Sequence, residues 1–525
     1  MEENPHPSGL ASNTHSGHQE FDRMISNAKS TVDTTADFHY HGLTNRRYAL
    51  VGVACSSILS CLFIIAGVIT FANHTILGVT RLLSLVDIDQ AAQFQGVLIL
   101  ILDLIVMLCT ESIGFVHSVS LRSALASESR LRFNTNLRLL TAARRWYNPN
   151  GALLNGISAV LLIISYSSAS SIVCLDQNDS ETSQAVGVAI AGIPLLILGV
   201  ALLLQVMIAL SGMRAVKILT WSSSPFDLTA ALVHHAQLTP TPFRCMRRVS
   251  DLDTCGGPAK PQETQPSAWH AHPSIRKVII FLWIIVAACA GWATLVTCVW
   301  DHLATYPLTL QTWSFFRSAQ SNAIWYWMPG SDLDVGILLY LNIIFLQGPL
   351  TLGLHCAELI ANVIRDERQW RYATRRKGLG VSTNPLVSIL NHPICLVLFI
   401  TKPFLHWMFG LSFSIYVDTY KETLYDIPIN MYPAQIWNLC IALFIFACFF
   451  TFVALRRPSG PQPAAYGHLQ TLADLVDEWS PVMWWGHKED GIPYCHAGTS
   501  DHPLPDVKMD CVYAGSGTGS LVPLS

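Results

Sequence analysis

Eight stretches of the sequence are long and apolar enough to cross a lipid bilayer as helices. A transmembrane helix needs about 20 mostly apolar residues. Only 13% of the residues are charged, whereas soluble domains carry about 25%. The sequence therefore predicts an all-α polytopic membrane bundle of about eight transmembrane helices, with a small α+β cytosolic C-terminal tail. The predicted spans are 48–72, 97–119, 151–173, 185–210, 278–300, 335–360, 394–416 and 436–455.

The seventh stretch is the weakest of the eight because it contains Lys402 followed by Pro403. A proline inside a helix removes a backbone hydrogen bond and bends the chain. The apolar character also begins earlier than the predicted span, near Pro385. The sequence leaves two interpretations open, which are a single kinked span over 385–416 and a segment that enters the membrane only half-way.

Lysine and arginine residues are divided unequally between the two alternating sets of connecting segments. One set holds nearly all of them, including the pairs Arg46-Arg47 and Arg456-Arg457, and the other holds only Arg81, Arg317 and Lys421. Because cytosolic loops carry the excess of positive charge, both termini are predicted to be cytosolic. The sequence leaves open whether the protein is in the plasma membrane or an endomembrane.

Two Asn-x-Ser/Thr sequons lie on the predicted outer side, at Asn73 and Asn178. Both agree with the predicted orientation and are candidate glycosylation sites. Each lies close to the end of a predicted span, however, so we expect neither to be glycosylated.

The N-terminus and the loop after the second span are two of the predicted cytosolic segments. Residues 1–47 are polar and are predicted to be disordered. The basic loop over 121–151 is predicted to be helical, with an apolar stripe formed by Leu131, Leu137 and Leu140. This loop either lies on anionic inner-leaflet lipids, at about 1 kcal/mol per basic residue, or is a plain cytosolic extension of the flanking spans. We favour the plain extension.

The longest predicted cytosolic loop covers 211–277. Ser224, Pro225 and Asp227 have the spacing of a helix N-terminus, so a short helix is expected there. Ser250 follows two arginines, in the form that basophilic kinases accept, and is a candidate phosphosite. Short matches of this kind are common by chance. The Pro/Gly-rich remainder predicts a flexible linker.

The cytosolic C-terminal tail, 456–525, has a mixed pattern. It begins with a helical repeat of apolar residues and continues with two strands around an Asp490-Gly491 turn, and a third strand is expected in "VKMDCVYAG". A unit this small is marginal alone, so we expect it to pack on the inner face of the membrane domain. The predicted stripe is Leu469, Leu472, Val476 and Trp479, and the histidines expected at the surface are His468, His487, His496 and His502.

Three long stretches together resemble a known group of proteins. They are "CTESIGFVHSVSLRSALASESRLRFNTNLRLLTAARRWYNPNG", "LHCAELIANVIRDE" and "YGHLQTLADLVDEW", the last followed by "WWGHK" and "HAGTS". These stretches are similar to a large uncharacterised family of multi-pass membrane proteins from filamentous and mushroom-forming fungi. The resemblance covers most of the chain from about Tyr48 onward. It implies a multi-pass fold and no activity, substrate or site residues.

Six ionisable side chains within the predicted spans form a candidate intramembrane polar site. An ionised group in hydrocarbon costs several kcal/mol, so each must face protein or water or be neutral. Three interpretations are open: the groups only neutralise one another, they handle protons or a cation in a transporter, or they hold a metal for hydrolysis. We give the first the most weight. The six residues are Asp103, Glu111, His117, His355, Glu358 and Lys402.

The sequence favours a sensing, scaffold or regulatory membrane protein that acts through its basic loops and tail. The alternative is a proton- or cation-coupled transporter, although the first four and last four spans lack the matched Gly/Pro breaks of inverted-repeat transporters. We find no catalytic motif and no cofactor motif. The expected partners are the lipid bilayer, including anionic inner-leaflet lipids, and unknown proteins that bind the tail. A net charge of -3 does not favour nucleic-acid binding.

Overall fold

A computed structural model describes residues 32–73, 79–85, 88–180, 183–251, 257–303, 313–318, 321–326, 332–380, 392–420, 423–426 and 429–514. Within these ranges, eight helices are long and apolar enough to cross a membrane, as predicted. Two short helices, α5 (Pro225–His234) and α6 (Ala268–Ala271), lie between the fourth and fifth of them. The eight are α1 (Val32–Asn73), α2 (Ile88–Ser127), α3 (Ala152–Ile172), α4 (Gly192–Arg214), α7 (Pro273–Leu303), α8 (Asp332–Trp370), α9 (Pro393–Ser412) and α10 (Pro433–Leu455).

Helix α1 begins before the span that the sequence predicts. The prediction placed its start at Tyr48 and treated 1–47 as disordered, whereas the helix begins at Val32. Once a helix has formed in the apolar segment, each added residue gains a backbone hydrogen bond, so the helix extends into polar sequence. The disorder predicted for 1–31 lies outside the described residues.

Helix α9 answers part of the question about the seventh stretch. It runs without interruption from Pro393 to Ser412, with Pro403 inside it. Twenty residues at about 1.5 Å each give a length near the thickness of the hydrocarbon core. The helix is therefore long enough to cross the hydrocarbon core. The part of the predicted kinked span over 385–391 lies outside the described residues.

Helix α4 packs against α1, α2 and α3, while α8 packs against α3, α7 and α9, and α10 closes the bundle against α7 and α9. The backbones of α1 and α4 approach each other closely. A Cβ atom on Gly199 would lie 2.8 Å from the backbone oxygen of Ser60 and from the backbone nitrogen of Ile64. Small residues at such crossings let membrane helices approach closely.

One end of the bundle, here called the sheet side, carries a seven-stranded sheet that the sequence did not predict. All four connections at this end contribute strands. The strands are β1 (Val79–Leu85), β2 (Val173–Ser180), β3 (Ser183–Ala191), β4 (Ile324–Tyr326), β6 (Phe413–Tyr420), β7 (Thr423–Asp426) and β8 (Ile429–Met431). Their order in the sheet is β1-β3-β2-β6-β8-β4, with β7 on β6, and only the β2–β6 pair is parallel.

Two predicted spans are wrong by several residues at their ends because of this sheet. Ala185–Ala191, predicted to open the span 185–210, belongs to β3, and α4 begins only at Gly192. Phe413–Tyr416, predicted to close the span 394–416, belongs to β6. A continuous apolar run has the same appearance in a buried strand and in a helix, so periodicity alone could not separate them. The fold is therefore a helical bundle with a sheet at one end, rather than all-α.

The other end of the bundle, here called the tail side, gathers the remaining connections and the C-terminal tail. The loop 128–151 crosses it without forming a helix, which contradicts the prediction for 121–151 beyond Ser127. Ser129 and Arg145 adopt positive φ angles of 54° and 74°, a conformation that interrupts a right-handed helix. Phe133 pairs with His468 of the tail, so the loop is packed between the bundle and the tail.

The tail packs on the bundle as predicted. Its helix α11 (Leu469–Leu475) and strands β9 (Val482–Glu489) and β10 (His496–Ser500) share a core with Trp370 and Phe226. Leu469, Leu472 and Val476 of the predicted stripe are buried, and Trp479 is partly buried. The tail is thereby part of the folded structure at this end of the bundle.

Three expectations for the tail side are wrong. The third strand beside β9 is β5 (Leu379–Gly380) and not "VKMDCVYAG", in which Tyr513 makes single bridges only. The linker after Gly256 is not free, because Ala259 pairs with Tyr513 and Thr264 with Ser459. His468, His487 and His496 are buried, and only His502 is at the surface as predicted. Apolar residues next to the linker and the histidines pack into the core of the tail side, so the neighbouring polar residues are buried with them.

Candidate functional site

Lys402 joins two acidic side chains in the middle of the bundle. Its Nζ donates hydrogen bonds to Glu111 Oε1 on α2 and to Glu358 Oε1 on α8. The lysine side chain is 2% exposed. A lone ammonium at bilayer depth costs about 2.5–3.5 kcal/mol on insertion scales, and two carboxylates offset that cost. We call Glu111, Glu358 and Lys402 the charge cluster.

His355 extends the charge cluster along α8. It lies one turn before Glu358, and its Nδ1 is 2.9 Å from Glu358 Oε1. If Nδ1 carries the hydrogen and donates it to the carboxylate, Nε2 is left as an acceptor. Nε2 is buried and has no hydrogen-bond partner among the described residues. His355 can therefore orient Glu358, and its free nitrogen can accept a hydrogen bond.

Arg138 approaches the charge cluster from the tail-side loop, a role that the sequence did not predict. Burial lowers the pKa of its guanidinium, while the charges of Glu358 and Glu111 act in the opposite direction. Its Nη1 atom is buried without a hydrogen-bond partner within the described part of the chain. With Arg138 included, two carboxylates face two cations, so the cluster is balanced when both glutamates are ionised.

A cavity of about 550 Å³ reaches the charge cluster. It lies between α1, α2, α8, α9 and the 134–139 segment of the tail-side loop. The side chain of Glu111 is 34% exposed and that of Glu358 is 24% exposed, whereas Lys402 beneath them is buried. The two carboxylates are thus the more exposed groups of the cluster, and Lys402 lines the cavity with them.

A second set of polar side chains continues from the charge cluster towards the sheet side. The ring of Tyr166 lies 5.8 Å from His355 and is stacked on His406 at 3.8 Å. Gln347 Nε2 is 3.3 Å from His406 Nδ1 and donates to Ser170 Oγ at 3.2 Å. These side chains are buried. We call Tyr166, His406, Gln347 and Ser170 the polar ladder.

The structure brings together four of the six predicted site residues: Glu111, His355, Glu358 and Lys402. His117 is not part of the cluster, since its Nε2 is 2.9 Å from Asn155 Oδ1 on α3. Asp103 is fully buried on α2, and its oxygens have no hydrogen-bond partner among the residues described. An isolated carboxylate in such surroundings favours its neutral form.

A metal ion is the other ligand that these groups could hold. Ligand atoms of Glu111, His355 and Glu358 all lie within 4.8 Å of one another, and a histidine with two carboxylates suits several divalent ions. However, the ammonium of Lys402 contacts both carboxylates and Arg138 faces them. A divalent ion would meet two fixed positive charges, so the cluster is better suited to protons than to a metal.

The candidate modification sites lie at the two ends of the bundle, Ser250 on the tail side and Asn73 and Asn178 on the sheet side. Ser250 is exposed in a short 3-10 turn, Val249–Asp251, and its Oγ is 3.1 Å from Asp251 Oδ1. Asn73 is the last residue of α1, and Asn178 lies within β2. Phosphorylation of Ser250 stays a prediction, as does the expectation that neither asparagine is glycosylated.

Comparison of the chain with protein-family models, with curated proteins and with solved structures finds no match. The functional argument therefore depends on the geometry of the site.

Proposed function

We propose that this protein is a proton-coupled membrane transporter in which the charge cluster binds the coupling proton. The observation that carries the proposal is the contact between the cavity and two partly exposed carboxylates that share one buried ammonium. One of the carboxylates can take up a proton while the other keeps Lys402 paired. Ionisable residues placed at bilayer depth and lining a cavity are typical of proton and substrate pathways.

The polar ladder supports proton access from the side of the bundle opposite the cavity. Its members are buried and closely packed, so this part of the bundle suits protons and not larger solutes. Tyr166, His406 and His355 carry groups that can exchange protons with neighbours or with a few water molecules. Cavity and ladder together meet the charge cluster from its two sides.

We further propose that the tail side faces the cytosol. The loops and tail on that side hold nearly all lysines and arginines, which is the bias found in cytosolic segments. The membrane is the plasma membrane or an endomembrane. A reporter fused after Ala514 should be accessible from the cytosol, and a reporter found only in the lumen or outside the cell would overturn the orientation.

The burial of the tail argues against a scaffold function, in which the tail would bind partner proteins. Leu469, Leu472 and Val476 could have formed a surface for a partner protein, but they pack into the folded core of the tail side instead. This packing favours a tail that holds the tail-side loop in place over a tail that recruits partners. It thereby supports the transporter over the scaffold.

Proton movement in proteoliposomes tests the proposed function. Vesicles with an internal pH dye and an imposed inward proton gradient would be given sugars, amino acids, organic acids and amines in turn. At least one class should accelerate internal acidification relative to vesicles without protein. Glu111→Gln and Glu358→Gln should each lower the effect at least about tenfold, whereas Glu263→Gln, at an exposed position, should leave it unchanged. Equal acidification with and without protein for every class would overturn the proposal.

A further inference from the structure

The charged groups that line the cavity are mostly cationic. Two are carboxylates, Glu111 and Glu358, and four are basic, namely Arg122, Arg138, Arg365 and Lys402. Arg122 is engaged by Asn134 Oδ1 and the backbone oxygen of Ser222, and Arg365 donates to Asp366. Arg138 and Lys402 remain as the cations that face the two glutamates.

Protonation of a glutamate changes this balance. When one carboxylate of the charge cluster is neutral, Arg138 and Lys402 together face a single negative charge. A buried and uncompensated cation costs several kcal/mol, so an anion that enters the cavity would be stabilised there. Arg138 lines the cavity and its Nη1 atom has no hydrogen-bond partner among the described residues, so its guanidinium can donate to such an anion.

The remaining wall of the cavity is largely apolar. Its volume of about 550 Å³ is within the range of small-molecule sites, which are lined mostly by hydrophobic side chains with few polar groups. The cavity therefore suits a molecule with one anionic end and an apolar body. The apolar and aromatic lining includes Tyr48, Val51, Leu108, Phe115, Leu398 and Phe399.

We propose that the transported substrate is an apolar monocarboxylate, whose carboxylate binds Arg138 and Lys402 when a proton has neutralised Glu111 or Glu358. This inference rests on the proposed function and names its substrate class. The substrate could enter from water, as a short-chain or aromatic acid, or from the bilayer, as a fatty acid. The shared chemistry is a carboxylate with an apolar body.

Other titratable groups surround the two glutamates and bear on the pH dependence. They reach the cluster from α2, α3, α8, α9 and the tail-side loop, and α1 adds an aromatic hydroxyl to the cavity wall. The histidines can also change their protonation state with pH. The group that takes up the proton must therefore be identified with variants and not from the pH profile alone. The groups are Tyr48, Asp103, Arg122, Arg138, Tyr166, His355, Arg365, Cys395, Lys402 and His406.

Ligand binding to the full-length protein in nanodiscs tests the inference. Octanoate and 4-phenylbutyrate are the water-soluble carboxylates, oleate in the bilayer is the membrane-borne one, and octanol and octylamine are the neutral and cationic controls. The carboxylates should bind at least about tenfold more tightly than the controls, as a charge-assisted contact provides. Arg138→Gln should weaken carboxylate binding about tenfold or more, while Arg214→Gln, at an exposed position on α4, should change it less than about twofold.

The glutamate variants give the sharper result. Wild-type protein should bind carboxylates more tightly at about pH 5.5 than at about pH 7.5. At the higher pH fewer of the proteins have a protonated glutamate in the charge cluster. The double variant Glu111→Gln/Glu358→Gln mimics the protonated state, so it should bind at least as tightly as wild type at the higher pH and lose the pH dependence. A purely structural role of the glutamates would not keep binding while removing its pH dependence.

The outcomes separate the inference from the proposed function. Equal binding of octanoate and octanol, or no effect of Arg138→Gln, would overturn the substrate class even if other solutes drive proton entry. Carboxylate binding with the expected pH dependence, but without proton movement in vesicles, would overturn transport and leave the binding site. Binding of octanoate but not oleate would assign an aqueous source, and the reverse would assign the bilayer.

Discussion

At the scale of single residues, Asp477 organises the polar part of the tail. Its Oδ1 accepts from the backbone nitrogen of Thr499 at 2.6 Å, and its Oδ2 lies 2.8 Å from His496 Nε2 and 3.1 Å from Lys488 Nζ. A Cβ atom on Gly498 would lie 2.4 Å from the carboxylate, so any larger residue there would displace the Asp477 carboxylate. Although burial opposes ionisation, the hydrogen bonds and charges of His496, Thr499 and Lys488 lower the pKa of Asp477 to about 2.

This pKa predicts how the tail responds to acid. Asp has a pKa of about 3.9 when unfolded, so the contribution of Asp477 to stability is fully present above about pH 4 and is lost as the pH falls to about 2. Asp477→Asn should destabilise the tail by about 2 kcal/mol at neutral pH, measured as urea-dependent proteolysis of the full-length protein. Asp506→Asn, at an exposed position, should have little effect. An unchanged acid profile in Asp477→Asn would contradict the assignment.

At the scale of helices and strands, the sequence predicted the eight apolar helices and the N-cap at Ser224, which accepts a hydrogen bond from the backbone nitrogen of Phe226. These features depend on local composition and spacing. The strands β3 and β6 escaped prediction because their apolar residues continue directly from helices. The approach of Arg138 to the charge cluster was also not predicted. The spacing of apolar residues in its loop indicated a helix, whereas the loop is held in another conformation by tertiary contacts, which a local pattern does not show.

The crossing of α1 and α4 gives a prediction at the same scale. Alanine is about 1 kcal/mol more favourable than glycine in a helix, so Gly156→Ala, where a Cβ atom meets nothing within 4 Å, should be neutral or stabilising. Gly199→Ala places its Cβ against the backbone of α1 and should lower the melting temperature by about 5 °C or more. Equal melting temperatures for the two variants would show that α1 and α4 are not in close contact.

At the scale of the whole molecule, the four candidate residues converge because three helices bring them to one depth in the bundle. Because Glu111 and Lys402 are far apart in sequence, the sequence alone allowed several different pairings of the charged residues. Asp103 and His117 were candidates on the same helix, yet His117 pairs with Asn155 and Asp103 has no hydrogen-bond partner among the described residues. The position of a residue around its helix did not predict which other helix would pack against it.

The central claim is that Glu111 or Glu358 takes up a proton inside the bundle. Infrared difference spectra of the reconstituted protein, recorded between about pH 7.5 and about pH 5.5, measure this directly through the carbonyl stretch of a protonated carboxylic acid. We predict a protonated-acid band that appears on acidification and is lost in Glu111→Gln/Glu358→Gln, while Glu263→Gln retains it. A band that persists unchanged in the double variant, or no band in the wild-type protein, would contradict the account.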